Sequence, residues 1–122
     1  MPLQSVHIIG LCIFSLLLGV GQLLFKAAAD RTPPITRVTD IVQVLGVPLL
    51  WLALILYGLT TLLWVCLLQQ VPLSRAYPFA ALAFVLVPVG AAAFFGERLS
   101  LATALGSALI VAGICVINLA RG

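Results

Sequence analysis

The chain has 122 residues, of which 64% are hydrophobic and only 7% charged, and its mean hydropathy is +1.31. Soluble domains carry about a quarter charged residues, so this composition excludes a soluble enzyme domain, a disordered tail and a disulfide-stapled secreted module. A formal net charge of +3 comes from cations scattered singly, without the basic block or aromatic interleaving that nucleic-acid binding needs.

About twenty apolar residues cross a bilayer once, so the chain is expected to form one domain over residues 1–122 with four crossings. The first run extends from about Val6 to Phe25 and closes with Lys26. It is longer than a signal-peptide core and has no cation ahead of it, so it reads as a retained transmembrane helix. The polar stretch from Ala27 to Gly46 follows, broken by Pro33-Pro34. Ile35, Val38, Ile41, Val42 and Leu45 then recur at helical spacing, which predicts a short amphipathic helix on the membrane surface. The second run spans about Val47 to Leu68 and ends at Gln69-Gln70 and Pro72.

The third run, about Ala76 to Phe95, has Pro78 in its first turn and Pro88 in its middle, where a freed carbonyl needs another partner. Gly96 is expected to close it and Ser100 to cap the fourth run, Leu101 to Leu119. Four crossings put both termini on one side. Lys26, Arg31, Arg37 and Arg98 fall at one membrane face and Arg75 and Arg121 at the other, which favours external termini by two charges and leaves either insertion open. Cys12, Cys66 and Cys115 sit singly in apolar runs and read as buried small hydrophobes. His7 reads as an interfacial side chain.

No catalytic, nucleotide or metal-ligand motif is present, so the chain reads as a non-enzyme without cofactor or metal. Polar groups near membrane depth are the informative ones, because each is costly in hydrocarbon. Gln22 and Lys26 lie one turn apart on one helix face and can hold an anionic headgroup; the alternative is an interhelical bond from Gln22 and a snorkelling Lys26. Arg75 can grip a phosphate bidentately with Tyr77 beside it, or the two are an interfacial anchor and a belt residue. Glu97, next to Arg98, is either a site carboxylate or a solvated turn. Gly106 and Gly113 stand two turns apart and mark a face for close helix packing, expected against another subunit.

These residues resemble the drug/metabolite transporter superfamily and, within it, the four-helix small multidrug resistance and EamA-like proteins. The fourth run, with Gly106, Leu109-Ile110, Gly113 and Ile117-Asn118-Leu119, looks like the dimerising helix of small multidrug resistance transporters. Val71 to Pro78, followed by Gly96-Glu97-Arg98-Leu99-Ser100, looks like the wider superfamily pattern. Gly21-Gln22 with Lys26 is similar to the paired flippase subunits for aminoarabinose linked to undecaprenyl phosphate. The resemblance implies an all-α bundle of four transmembrane helices in the bacterial inner membrane, acting as a homodimer or with a similar four-helix subunit. It also implies a polyprenyl-phosphate-linked sugar as substrate, contacted by Gln22, Lys26, Arg75, Tyr77 and Glu97. Drug or metabolite export by the same fold, and a non-transporting subunit that stabilises a partner, are the rival expectations. One departure separates them. Small multidrug resistance proteins carry a glutamate eight residues before a lysine; here Leu18 stands eight residues before Lys26, and no carboxylate lies inside any apolar run. Proton-coupled exchange of cationic drugs requires such a group.

Overall fold

The computed structural model describes the backbone of residues 5–121 and the side-chain surroundings of residues 5–119; Arg121, counted above among the loop cations, has its side chain outside the described residues. The elements are α1 (Ser5–Asp30), a 3-10 helix (Val38–Gly46), α2 (Pro48–Leu68), α3 (Leu73–Ala80), α4 (Ala83–Phe95) and α5 (Leu101–Arg121). Four segments are long and apolar enough to cross a membrane: α1, α2, α3 with α4 taken together, and α5. The protein is an all-α, multi-pass membrane protein.

α1 outlasts its apolar run by one turn. Ala27, Ala28 and Ala29 are strong helix formers, and Lys26 reaches Asp30 at 3.1 Å across one turn. Helix ends follow local chemistry elsewhere too. Pro48 occupies the first turn of α2, where its missing N–H costs nothing. Gly96 ends α4 in the left-handed conformation at φ 67°, which an L side chain rarely adopts. Ser100 caps α5 by accepting the Thr103 N–H at 3.0 Å.

α1 is the centre of the bundle, packed against α2, α3 and α4. Its N-terminal half forms a buried cluster in which Leu11 and Phe14 meet Leu67, Val71, Ala76 and Phe79. Phe14 stacks on Trp64 with ring centroids 4.5 Å apart, and His7 Nε2 lies 2.7 Å from Gln70 Oε1. Further along, a Cβ on Gly90 would stand 2.6 Å from a Leu23 methyl, so α4 approaches α1 where only glycine fits without a shift. α5 is peripheral: among its described residues Ile114 alone is buried.

Three expectations are corrected. The surface segment is a 3-10 helix, not an α-helix. Asp40 Oδ2 accepts the N–H groups of Thr36 at 3.2 Å and Arg37 at 3.1 Å and so starts a tight turn. Val38, Ile41 and Val42 remain exposed, so no packing favours an α-helical stripe. Next, the third run begins at Leu73 and is interrupted at Ala81–Leu82 rather than at Pro88, which α4 accommodates. The buried Ser15 hydroxyl donates to the carbonyls of Leu11 and Phe79. It takes the Phe79 acceptor that the next turn would use, and Leu82 closes a tighter bond to that carbonyl at 3.1 Å. A side chain inserted into the ladder is a regular cause of a kink. Lastly, Cys12, Cys66 and Cys115 are free and exposed on this single chain rather than buried; in a span, an apolar side chain needs no protein interior, because lipid is as apolar as a core.

Candidate functional site

The four crossings give the bundle two chemically different ends. α1 starts, α2 finishes, α3 starts and α5 finishes at one end; Asp30, the 3-10 helix and the turn at Gly96 occupy the other. Arg75 lies at the first end. It is 5% exposed, so its side chain is turned into the protein. A buried guanidinium is costly without polar partners, and that makes Arg75 a committed part of the packing, unlike a surface anchor. Its neighbour Ala76 shares the buried cluster with Leu11.

Lys26 is fifteen residues beyond Leu11 on α1, a helix rise of about 22 Å. Lys26 and Arg75 therefore stand near opposite ends and cannot grip one phosphate together. Lys26 is also already paired with Asp30, both side chains about half exposed at 48% and 50%. An exposed pair of this kind contributes about 0–1 kcal/mol, so it yields readily to a competing anion. Glu97 is exposed in the turn after α4, at the same end as Lys26.

Between the ends, the structure brings Gln22 and Tyr77 together. Both line a cavity of about 450 Å³ between α1 and the α3–α4 segment, with Leu18, Ala80, Ala81, Ala83, Phe84, Val87 and Pro88. The walls are almost wholly apolar, and the alanines at the α3–α4 break make the room. Tyr77 and Phe84 are largely exposed, so the cavity opens sideways toward lipid. Leu18, the residue that replaces a coupling glutamate, lines it. This cavity contains no ionisable carboxylate.

Gly106 is half-buried and Gly113 exposed, and a Cβ on either would meet nothing within 4 Å. The glycine face of α5 is thus unoccupied within one chain, whereas Gly10, Gly19 and Gly90 all have neighbours.

Sequence reasoning missed a second group of residues. Tyr57, Thr60, Thr61 and Trp64 of α2 line a separate cavity with Phe14, Leu18, Tyr77 and Ala80. Thr60-Thr61 in the middle of an apolar run was the available signal, and Ser15 likewise marked the kink.

The sequence profile of the EamA-like transporter family matches residues 2–119. The chain belongs to this family. Its relatives include the probable 4-amino-4-deoxy-L-arabinose-phosphoundecaprenol flippase subunit ArnE of Yersinia pseudotuberculosis serotype O:1b (strain IP 31758), 42% identical over 112 residues, covering 88% of this chain and 92% of that protein. The protein of the same name from Erwinia tasmaniensis is 44% identical over 72 residues, covering 57% of this chain and 67% of that one. No solved structure gives a significant match. Within the EamA-like family, the placement of a cavity beside the interrupted third span is what gives this chain a candidate translocation path.

Proposed function

We propose that the chain moves a polyprenyl-phosphate-linked sugar across the bacterial inner membrane, as one half of a homodimer or of a pair with a similar four-helix subunit. The 42% identity to flippase subunits over 88% of the chain carries this reading. The arrangement of charges supports it. A cation stands near each end, Arg75 at one and Lys26 at the other, and the cavity between them has a carboxamide and a phenol in apolar walls. The phosphate meets Arg75 on one side and Lys26, released from Asp30, on the other. The polyprenyl tail stays in lipid and enters the cavity through its side opening. Glu97 lies beside the Lys26 end and orients the departing head. Gly106 and Gly113 supply the subunit contact that closes the path on its open side.

Proton-driven export of cationic drugs is disfavoured by the same residues. The three acids, Asp30, Asp40 and Glu97, all lie at helix ends or outside the spans. A carboxylate in water stays ionised at neutral pH and does not exchange a proton for a cation. The decisive experiment is reconstitution in proteoliposomes with an undecaprenyl-phosphate-linked sugar and, separately, an ethidium-like cation. Transbilayer movement of the lipid, with no cation efflux under a pH gradient, is expected. Cation efflux that collapses with the gradient, without lipid movement, overturns the reading.

A further inference from the structure

The cavity between α1, α2 and α3 has a chemistry unlike that of either charged end. Its volume is about 290 Å³, at the small end of ligand sites. No lysine or arginine lines it; its polar side chains are Thr60, Thr61, Tyr57, Tyr77 and Trp64. The Thr60 hydroxyl donates to the Leu56 carbonyl at 2.7 Å, and the Thr61 hydroxyl donates to the Tyr57 carbonyl at 2.9 Å. A hydroxyl has one proton and two lone pairs. Both protons are committed to the helix backbone, so each threonine offers the cavity an acceptor and no donor.

The rings add to this bias. Aromatic faces carry the negative side of a quadrupole and attract cations within about 6 Å. Trp64 is braced by its stack on Phe14, and Tyr57 is held by Phe25 at a centroid separation of 6.1 Å. Oxygen acceptors and braced rings, with no cation among them, suit a positively charged donor and offer little to a phosphate. Tyr77 lines both this cavity and the larger one, so a ligand seated here lies against the translocation path.

We infer that the α1–α2–α3 cavity is a subsite for the ammonium group of an amino sugar carried on the transported lipid. This rests on the flippase reading and adds to it a division of labour. The ends of the bundle handle the phosphate, and Thr60, Thr61, Tyr57, Trp64 and Tyr77 select the aminated head over a neutral one of the same shape.

The full chain in lipid nanodiscs, with its partner subunit where the assembly needs one, tests this with three probes. They are 4-amino-4-deoxy-L-arabinose-phosphoundecaprenol, its counterpart with a hydroxyl in place of the amine, and undecaprenyl phosphate alone. The wild type is expected to prefer the amine over the hydroxyl by about tenfold, as a desolvated cation–π contact implies. Thr60→Val with Thr61→Val keeps side-chain shape and removes both acceptors; the preference falls several-fold, while binding of undecaprenyl phosphate is unchanged. Thr60→Ser with Thr61→Ser restores the preference. Equal binding of the two sugars by the wild type, or an unaltered preference in the valine variant, overturns the subsite and leaves the flippase reading standing. Failure of all three lipids to bind overturns the flippase reading and the subsite with it.

Discussion

α1 and α5 are both long apolar helices with small residues on one face, yet they have opposite fates in the fold. α1 packs against α2, α3 and α4, and its polar interruption, Ser15, is 1% exposed and bonded to two carbonyls. α5 lies at the edge, with Leu101, Leu105, Leu109, Val116 and Leu119 exposed and its glycines unopposed. The difference shows that composition marks a helix for the membrane without saying what it packs against. In lipid, an apolar face needs no burial, so α5 is free to keep its small-residue face for a second subunit while α1 organises the first.

The largest expected effect is at the centre of α1. Leu11 is fully buried, and Leu11→Ala should cost about 2–5 kcal/mol through lost transfer energy and the cavity left behind. A clear drop in Tm of the purified protein checks it; an unchanged Tm removes α1 from the core. The same truncation in α5, Leu109→Ala, should leave Tm near the wild-type value.

Next come the two cations, which sharpen the contrast between buried and exposed charge. A charge-assisted bond to phosphate contributes roughly 1.5–3 kcal/mol. Lys26→Ala should weaken binding of an undecaprenyl-phosphate-linked sugar about tenfold with little change in Tm. Arg75→Ala should weaken binding and also lower Tm, because its side chain is packed inside. Full binding by both variants reduces them to anchors.

At α5 the expected effect is on assembly alone. Gly106→Leu with Gly113→Leu adds bulk to a face with no intrachain neighbour, so crosslinked dimer in membranes should fall while the monomer's Tm stays put. An undiminished dimer moves the subunit contact to another surface.

The smallest effect concerns the surface 3-10 helix. Backbone N–H bonds from Thr36, then Arg37, hold the Asp40 carboxyl below its usual value of 3.8. A group whose folded pKa is depressed stabilises above its unfolded pKa and loses that contribution as pH falls through the folded value. Amide exchange at Thr36 and Arg37 should therefore quicken below about pH 3.8 and stay constant between pH 5 and 7, with Asp40→Asn fast throughout. A cap that survives full protonation sinks this assignment.

Much of the architecture was legible before any coordinates. The four runs, the left-handed stop at Gly96 and the cap at Ser100 follow from local rules, because hydrophobic length and capping chemistry act within a few residues of the chain. Gln22 and Tyr77 were also visible as costly polar groups, and they share a cavity. What stayed hidden depended on partners distant in sequence. Ser15 looks like any mid-helix serine until Phe79 lies opposite it, and Thr60-Thr61 look like simple backbone-bonded residues until rings from three helices surround them. Gln22, Lys26, Arg75 and Tyr77 read as one cluster on paper; antiparallel threading of the spans puts Arg75 and Lys26 about 22 Å apart along the bundle. Sequence by itself determined that this chain lives in a membrane, how often it crosses and where each helix stops, since those depend on transfer free energy and local hydrogen bonding. Tertiary structure alone decided which polar groups meet, where the third span breaks and which glycine face stays open, since those depend on register between helices that no local rule encodes.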